Sequence, residues 1–571
     1  MSSMRTGAKV LATLAAASLL LTACASGDDS NDTASQQTTA PITVRWGYAQ
    51  EFASYNGNTA DGNSSANNAI LTQTVSGFWV FAPDGSIQPN KDFGTFEKTS
   101  DNPLTVKYTI NDKAAWSDGE AVDCDDFVLA WLANSGVTGE KGFSSAGTFG
   151  YEDQNKPACK DGDKTITVTY KKPFADWSGL YGSPTILPAH LVEKQGGIPD
   201  IIAAADNPTS PDLAKAEAFY NDAFNVNPGQ IKSDVMLSSG PYTISAWQAG
   251  QSLTLTANPK WWGTPPKAKT IIVRYLGGDQ QVQALQNGEV DTIDPQPQVE
   301  LVNQLKALGD KVKFSTHDAY TFEHLDFNFR GAFADKNIRE AFAKCVPRQQ
   351  IVDNLIKPQN PDANILQSRY VFPFQPTYSQ FENSVGGEKY NTVDIAGAKQ
   401  LLTAAGKNGL TVRVGWRKDP AAINKRRVDT LALITASCKQ AGFNVVDAGT
   451  ADFFEKALPE GNFDVAMFAW TGSPLVTGSS AIYITKGDSN YDKYSSPTVD
   501  SLTSQLNAEI DTTKQVDLMK QIDTQLWTDL ATIPLFAHPG ILASSPDVEG
   551  VEYNATQQEL MWNAQSWSLK Q

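Results

Sequence analysis

The chain has 571 residues, of which 41% are hydrophobic, 10% aromatic and 19% charged, and its formal net charge is −17. This length exceeds a single ordinary core, so we expect two or three lobes, and the composition is that of a folded globular protein rather than a disordered one. The negative charge argues against nucleic acid or an anionic bilayer surface as a partner, because both would repel the average surface.

The N-terminus carries the features of an export signal. Basic residues precede an apolar run over residues 10–21, which is too short to span a membrane as a mature helix. This pattern predicts a signal peptide over residues 1–23. Residues 21–24, LTAC, resemble the bacterial lipobox, which implies cleavage before Cys24 and lipidation of its thiol. We expect export to the outer face of the cytoplasmic membrane and a lipid anchor there; the alternative is a buried free cysteine.

Residues 24–40 are predicted to be a flexible tether. After Cys24 the sequence ASGDDSNDTASQQTTA contains no aromatic or large aliphatic residue, so burial cannot offset the entropy lost on ordering. A flexible coil of this length spans about 22 Å on average. The folded body could then swivel beside a membrane protein.

The rest of the chain mixes strand and helix patterns. Alternating apolar residues predict strands around residues 106–110, 166–170 and 253–255. Ser496 followed by Pro497 predicts a helix start, and a second helical pattern covers residues 518–530. We see no repeat of fixed period, so an α/β or α+β body of several lobes is expected.

Several segments from about Pro41 onward resemble the extracellular solute-binding protein family 5, which includes oligopeptide-, dipeptide- and nickel-binding members. Glycines and prolines in these segments suit backbone turns, and the tryptophans suit lobe cores. The segments, in the order of the family, are residues 116–120 (WSDGE), 239–242 (SGPY), 257–263 (ANPKWWG), 284–291 (ALQNGEVD), 327–328 (FN), 463–464 (FD) and 533–535 (IPL).

The resemblance implies a periplasmic-binding-protein-like type II α/β fold with an extra lobe. The ligand cleft is expected between the first and third of three lobes, which hinge together around the solute. The implied boundaries are residues 41–85, 220–295 and 535–571 for the first lobe, residues 86–219 for the second and residues 296–534 for the third.

Four cysteines remain after Cys24, an even number in an oxidising compartment, so two disulfides are expected. Of the three possible pairings, Cys124 with Cys159 and Cys345 with Cys438 keeps each bridge within one implied lobe. A metal site is disfavoured because no pair has CxxC spacing and the four histidines are scattered. No cofactor is expected.

The resemblance also points to ligand-binding candidates. In peptide-binding relatives a segment like the one around Trp470 lines the cleft, with an acid a few residues later for the ligand's α-amino group. That acid is missing here, where Thr471, Gly472 and Ser473 follow the tryptophan. Arg427 lies where some relatives place a cation for a ligand carboxylate, and a solvated helix face is its alternative.

An amide-rich stretch near the start of the first lobe supplies the remaining candidates. Amides and a phenol can hydrogen-bond a peptide backbone or a sugar. The alternative is a capped loop before a helix. The residues are Tyr55, Asn56, Phe78 and Trp79.

The function expected from these observations is the substrate-binding lipoprotein of an ABC importer. It would act as a monomer, capture peptides and deliver them to permease subunits with their ATPases. Oligosaccharides or a metal chelate are alternative ligands. A secreted hydrolase is less favoured because neither a nucleophile elbow nor an HExxH motif is found, and no enzyme activity is expected. A surface structural protein would not explain the ordered segments.

Overall fold

The computed structural model describes residues 41–420 and 423–570. These residues belong to one structural unit, Pro41–Gln571. The predicted signal peptide, the lipidation site Cys24 and the tether lie outside the described residues, so they remain predictions.

Strands and helices alternate through the described chain, as expected of an α/β protein. The strands are β1 (Thr43–Tyr48), β2 (Trp79–Phe81), β3 (Ile87–Pro89), β4 (Gly94–Asp101), β5 (Leu104–Ile110), β6 (Thr165–Thr169), β7 (Tyr242–Gln248), β8 (Ser252–Ala257), β9 (Thr270–Tyr275), β10 (Thr292–Ile293), β11 (Lys313–Phe327), β12 (Thr411–Gly415), β13 (Asn444–Asp447), β14 (Val465–Thr471), β15 (Thr532–Ser544), β16 (Val548–Glu549) and β17 (Ser568–Leu569).

The α-helices lie between these strands and pack on them. They are α1 (Ser65–Thr74), α2 (Cys124–Asn134), α3 (Ala189–Gly196), α4 (Ile201–Ala204), α5 (Ala214–Ala218), α6 (Gly278–Gln286), α7 (Val299–Leu308), α8 (Lys336–Cys345), α9 (Arg348–Ile351), α10 (Ile395–Ala404), α11 (Lys425–Ala441), α12 (Leu458–Glu460), α13 (Ser480–Tyr483), α14 (Pro497–Ala508) and α15 (Thr512–Asp529).

The local patterns in the sequence predict several of these elements correctly. The three alternating segments become β5, β6 and β8. Helix α14 begins as predicted, with the Ser496 side chain accepting a hydrogen bond from the backbone N–H of Val499 and with Pro497 in its first turn. The second helical pattern becomes α15, which starts a few residues earlier than the apolar face suggests because Asp511 caps it.

One large sheet runs through the molecule in the order β13-β12-β14-β11-β15-β10-β1-β9-β8-β7. The two long strands β11 and β15 lie at its centre and pair antiparallel. Strand β14 pairs with β11 over residues 321–327, whereas β10 pairs with β15 at residues 543–544. The two halves of the sheet are therefore joined through opposite ends of this strand pair.

The pairing between β11 and β15 is interrupted midway. The register shifts between Asp318 and Phe322 and again between Glu323 and His324. Such irregularities bend and twist a strand pair locally. The interruption thus falls between the two halves of the sheet, where the chain can bend with the smallest loss of ladder hydrogen bonds.

Separate hydrophobic cores support the two halves. One core combines residues 44–273 with residues 560–567, and a second combines residues 320–537. The first core covers parts of both the first and the second implied lobes, including the small sheet β4-β5-β6. The three-lobe boundaries therefore remain a prediction.

Two disulfides cross-link the structure. Cys124 is bonded to Cys159 and Cys345 to Cys438, which is the pairing expected from the sequence. The bridges close sequence separations of 35 and 93 residues. Among the helices of the described chain, none combines the length and apolar character needed to cross a membrane.

Candidate functional site

Two adjoining cavities lie beside the interrupted stretch of β11 and β15. We call the first, of about 250 Å³, the hinge cavity, because Ala319, Thr321 and residues 538–541 of these strands form one wall. The second, of about 380 Å³, is the loop cavity, because residues 471–475 after β14 line it. Both are lined by Thr471 and by residues 555–557, and we call these two neighbouring cavities together the cleft.

The opposite wall of the cleft comes from the other half of the sheet. Residues 294–297 follow β10, Ser65 and Asn68 lie on α1, and residues 554–559 belong to the C-terminal segment. The loop cavity is lined by uncharged hydroxyl, amide and apolar groups only, within the described residues. Such a wall can hydrogen-bond a polar backbone without selecting for its charge.

A third cavity of about 890 Å³, the outer cavity, extends from Tyr553, which also lines the hinge cavity. The Tyr553 ring stacks on His317 with the ring centroids 4.5 Å apart. Five carboxylic acids line the outer cavity: Asp84, Asp318, Asp362, Glu382 and Glu552. Burial raises the pKa of Asp318 to about 6.

A buried ion cluster supports the floor of the hinge cavity. Glu323 on β11 is almost fully buried and accepts two hydrogen bonds from Arg427, at 2.7 and 3.2 Å. Nε2 of His538 on β15 lies 3.0 Å from the same carboxylate. Burial alone would raise the pKa of Glu323, but Arg427 and His538 hold it below its usual range. The cluster ties α11, β11 and β15 together at the hinge.

Two further acids, Asp294 and Glu559, line the hinge cavity itself. Oδ1 of Asp294 accepts a hydrogen bond from Trp46 Nε1 at 2.8 Å. Burial and the charge of Glu559 raise the pKa of Asp294 well above its usual range. Burial raises the pKa of Glu559 to about 7, although a hydrogen bond from Ser65 opposes the change. The cleft therefore holds two carboxyl groups that resist ionising together.

Tyr320 on β11 lines the loop cavity and is 1% exposed. Its hydroxyl has no hydrogen-bond partner in the described chain. A buried hydroxyl without a partner is unfavourable by roughly 1–3 kcal/mol. The hydroxyl lies against the backbone of Gly85, so Tyr320 contributes the side of its ring to the cavity wall.

The candidates around Trp470 divide into two groups. Thr471, Gly472 and Ser473 line the loop cavity, and Thr471 lines the hinge cavity as well. Trp470 is half-buried behind them, with its ring stacked 6.2 Å from Tyr491. Its indole N–H is buried without a partner in the described chain. Residues 471–473 therefore line the cleft, and Trp470 packs behind them.

Arg427 is not a free cation. Its side chain is 12% exposed and bonded to Glu323, so its charge is already neutralised within the protein. The alternative of a solvated helix face is also wrong, because the guanidinium points into the ion cluster. Arg427 supports the cleft rather than presenting a charge to it.

The early candidates lie in the core and line none of the three cavities described above. The Tyr55 hydroxyl donates to the Leu237 carbonyl at 3.0 Å, and the Asn56 amide donates to the Tyr220 carbonyl at 3.0 Å. These bonds occupy the polar groups that the sequence analysis assigned to ligand binding. The assignment of Tyr55 and Asn56 as ligand contacts is corrected accordingly: they tie the loop before α1 to distant segments.

The assignment of Phe78 and Trp79 as ligand contacts is corrected in the same way. Phe78 is fully buried, with its ring centroid 5.0 Å from those of Phe93 and Tyr108. Trp79 is 6% exposed and donates its indole N–H to the Leu180 carbonyl. Large rings at these positions fill the core shared by the first two implied lobes.

Sequence reasoning missed the groups that give the cleft its polarity, namely Asp294 and Glu559. Asp294 directly follows the short strand β10, and Glu559 lies 265 positions further along the chain. Only the sheet order, which places β15, β10 and β1 side by side, brings their segments together. No local pattern in the sequence signals that meeting.

An acidic cluster lies apart from the cleft, at the start of α2. Ligand atoms of Asp123, Asp125 and Asp161 lie within 4.8 Å of one another. Asp123 serves as the helix cap, accepting from the Asp125 N–H. Burial and the charge of Asp123 raise the pKa of Asp125 to about 7. Capping accounts for Asp123, whereas Oδ1 of Asp125 is buried without a hydrogen-bond partner in the described residues.

Relatives of known sequence cover nearly the whole chain. An uncharacterised lipoprotein of Mycobacterium tuberculosis is 30% identical over 538 residues, which are 91% of this chain and 91% of that relative. The oligopeptide-binding protein OppA of the same species is 28% identical over 508 residues, covering 85% of this chain and 78% of OppA.

Solved structures share the fold. A periplasmic EDTA-binding protein, EppA, matches with a TM-score of 0.80 at 23% identity, over 94% of this chain and 99% of that one. The oligopeptide-binding protein AppA from Bacillus subtilis, solved with a nonapeptide, matches with a TM-score of 0.68 at 18% identity, over 93% and 100%. These likenesses confirm the expected α/β fold of a periplasmic solute-binding protein.

The family model described as "Bacterial extracellular solute-binding proteins, family 5 Middle" matches residues 88–492, which is more than half of the chain. The match covers the segments from the small sheet to the wall of the cleft around Trp470. The chain belongs to the bacterial extracellular solute-binding proteins of family 5.

Proposed function

We propose that this protein is the substrate-binding lipoprotein of an ABC importer and that it captures peptides. The observation that carries the proposal is the cleft formed by the neighbouring hinge and loop cavities. Their volumes are about 250 and 380 Å³, and the larger is in the range of pockets for small ligands. Its loop-cavity wall of hydroxyls and amides suits a peptide backbone, whose groups need hydrogen bonds but carry no charge.

The strand pair β11 and β15 supplies a hinge for capture. The cleft lies where their register is interrupted, so bending there would bring the loop after β14 towards α1 and the C-terminal segment. Closure of this kind buries the ligand and changes the surface seen by a permease. The protein itself carries out no chemical step; release follows when the permease and its ATPases drive opening.

Lipid attachment at Cys24 completes the proposal for location. The lipobox-like residues 21–24 would place the body at the outer face of the cytoplasmic membrane as a monomer beside its permease. The naming of the mycobacterial relative as a lipoprotein supports this assignment. Substitution of Cys24 by Ala should release the protein into the medium or periplasm, while the parent stays with the membrane fraction.

A metal chelate is the second candidate ligand, because EppA, whose name describes EDTA binding, shares the fold with a TM-score of 0.80. The charge beside the cleft argues against an anionic chelate here. The five acids of the outer cavity would repel it. A neutral or cationic complex would not meet this repulsion.

Thermal shift assays on the ligand-free protein distinguish the candidates. A mixture of random tetrapeptides at millimolar concentration should raise the unfolding temperature, because a ligand that binds only the folded state stabilises it by RT ln(1 + [L]/Kd). Maltotetraose and iron–EDTA should leave it unchanged. A shift with iron–EDTA or the sugar, and none with peptides, would overturn the peptide assignment while leaving the solute-binding role intact.

A further inference from the structure

We propose that Asp176 is a positioning residue for solute capture: its carboxylate binds the loop after β14 to the opposite half of the molecule and so holds the cleft closed over a ligand. We call residues 472–477 the latch loop and their contact with Asp176 the latch. The inference rests on the proposed function, since it assumes capture by bending at β11 and β15. It applies to whichever solute the cleft holds.

Both oxygens of the Asp176 carboxylate are bonded to the latch loop. Oδ1 accepts a hydrogen bond from the backbone N–H of Val476 at 3.1 Å. Oδ2 accepts one from the backbone N–H of Thr477 at 2.9 Å and another from the Thr477 hydroxyl at 2.6 Å. Asp176 is 7% exposed and Thr477 is 4% exposed. Charge-assisted bonds at both oxygens fix the position of the segment that supplies the donors.

The latch joins the two halves of the molecule at a place outside the hinge strands. Phe174 and Leu180, on either side of Asp176, belong to the first hydrophobic core. Val476 packs against the second core. A contact between separately supported halves forms only when the halves meet, so it stabilises one position of the hinge over the others.

The same loop forms part of the cleft wall. Residues 471–475 line the loop cavity, and the latch begins at the next residue, Val476. Leu475 packs so closely on Gly179 that a Cβ there would lie 2.7 Å from the leucine side chain. Because no residue separates the cavity wall from the latch, a shift of the loop moves both together.

A second turn from the first half also rests on this loop. Gly85, between β2 and β3, has a φ of 80°, a conformation that favours glycine. A Cβ at this position would overlap the Tyr320 hydroxyl and contact Pro474. The latch loop is therefore held at two points by the same half, by the turn at Gly85 and by the carboxylate of Asp176.

The bonds around the latch are polar. The backbone N–H of Ala175 donates to the carbonyl of Asn507 at 2.9 Å, and Nε2 of Gln515 donates to the carbonyl of Ala175 at 3.3 Å. Burial raises the pKa of Asp176, and the hydrogen bonds from the latch loop oppose that change. Water can take the place of each of these partners when the halves separate, so the contact suits a reversible latch better than a permanent core.

The latch should add to affinity through the position of the hinge. Its hydrogen bonds exist only in the closed arrangement, so they raise the fraction of molecules that can enclose a ligand. The apparent dissociation constant varies inversely with that fraction. Loss of the latch should therefore weaken binding and speed dissociation, although Asp176 lines none of the three cavities described above.

The main test variant is Asp176→Asn. It keeps the side-chain shape, but an amide has one accepting oxygen, so its NH₂ group would face donors of the loop. Thr477→Val removes only the hydroxyl donor. Asp234→Asn removes an exposed carboxylate in the same half and is the matched control. Circular dichroism and the unfolding temperature establish that each variant folds.

The measurements use the full-length chain, purified in detergent and freed of ligand by unfolding and refolding with its disulfides intact. A random tetrapeptide mixture is the probe, and its affinity and dissociation rate are measured for each variant. Hydrogen exchange, read by mass spectrometry on fragments covering residues 475–483, follows the backbone N–H groups that the latch holds.

In the parent and in Asp234→Asn, tetrapeptides should slow hydrogen exchange over residues 475–483. In Asp176→Asn, affinity should fall by about 10- to 100-fold, as expected for the loss of hydrogen bonds to a charged group, and mainly through faster dissociation. Exchange over residues 475–483 should become faster and nearly independent of ligand. Thr477→Val should weaken binding by about 3- to 10-fold, because two of the three bonds remain.

A purely structural role for Asp176 gives a different result. Asp176→Asn would then unfold at a lower temperature but bind tetrapeptides within about threefold of the parent and keep its ligand-dependent exchange, which overturns the inference. If no tetrapeptide binds the parent, the peptide assignment fails and exchange without ligand decides the latch. Faster exchange confined to residues 475–483 in Asp176→Asn supports it, and exchange equal to that of Asp234→Asn overturns it.

Discussion

Replacing Glu559 by Gln should stabilise the ligand-free protein at pH 8 but hardly at pH 5. Burial raises the pKa of Glu559 in the folded state to about 7, from 4.5 in an unfolded chain. A carboxyl group with a raised folded pKa contributes stability that is present below the unfolded pKa and lost as the pH rises through the folded pKa. The relevant window therefore runs from about pH 4.5 to about pH 7.

The expected stabilisation follows from the difference between the folded and unfolded pKa values of Glu559. A difference of about 2.5 pKa units corresponds to roughly 3 kcal/mol, which is the cost of ionising the folded protein at pH 8. At pH 5 most of that cost is absent, and less than about 1 kcal/mol remains. Glutamine carries no charge at either pH, so the variant avoids the cost, and relief of the repulsion on Asp294 acts in the same direction.

Other titratable groups lie near Glu559 and bear on the pH dependence of stability. Burial and, after it, the charge of Glu559 raise the pKa values of Asp294, Tyr48 and Tyr553. Burial lowers the pKa of His538, which lines the same cavity. The two tyrosines stay neutral throughout this window, so they do not contribute to the pH dependence.

The assay is scanning calorimetry of ligand-free parent and variant at pH 5 and pH 8. Glu549→Gln, which removes an exposed acid on β16, provides the matched control and should change little at either pH. Equal stabilisation by Glu559→Gln at both pH values, or a loss of stability at pH 8, would refute the reasoning.

Three further substitutions test the frame around the cleft. Asp523→Asn should lower the free energy of unfolding by about 3–5 kcal/mol, because it leaves the fully buried Arg369 without its counter-charge; a loss below about 1 kcal/mol in denaturant titration contradicts this. Phe78→Ala should lower the free energy of unfolding by about 3–5 kcal/mol, because it leaves a cavity in the core, while the affinity of the folded protein for peptides should change less than about threefold. A loss of peptide affinity at unchanged stability would show that Phe78 belongs to the ligand site after all. Joint replacement of Cys345 and Cys438 by Ser removes a cross-link between residues 93 positions apart, and the chain-entropy model predicts that the free energy of unfolding falls by about 5 kcal/mol. A loss under about 1 kcal/mol in calorimetry would contradict that prediction.

Local signals in the sequence predicted the elements whose causes are themselves local. Helix α14 starts where Ser496 can cap it and Pro497 already has a helical φ. Strand β5 follows from the alternation of buried and half-buried residues along one edge of a small sheet. The disulfide pairing was accessible because the implied lobes limited the possible partners.

The candidate site was predicted only where one short segment forms it. Residues 471–473 reach the cleft because they follow β14 directly. Asn56, by contrast, was read as a ligand donor, but its amide is used by a carbonyl 164 positions away, which no local pattern reveals. The same limitation hid the approach of Asp294 to Glu559, since it depends on the order of strands in the large sheet.

The central claim, that the cleft of this solute-binding protein holds peptides, is tested most directly by identifying the molecules it retains. The full-length chain would be purified from its native host without any stripping step, denatured, and the released small molecules analysed by mass spectrometry. The account predicts short peptides, present in near-stoichiometric amount. Sugars or a metal chelate in that amount would contradict it.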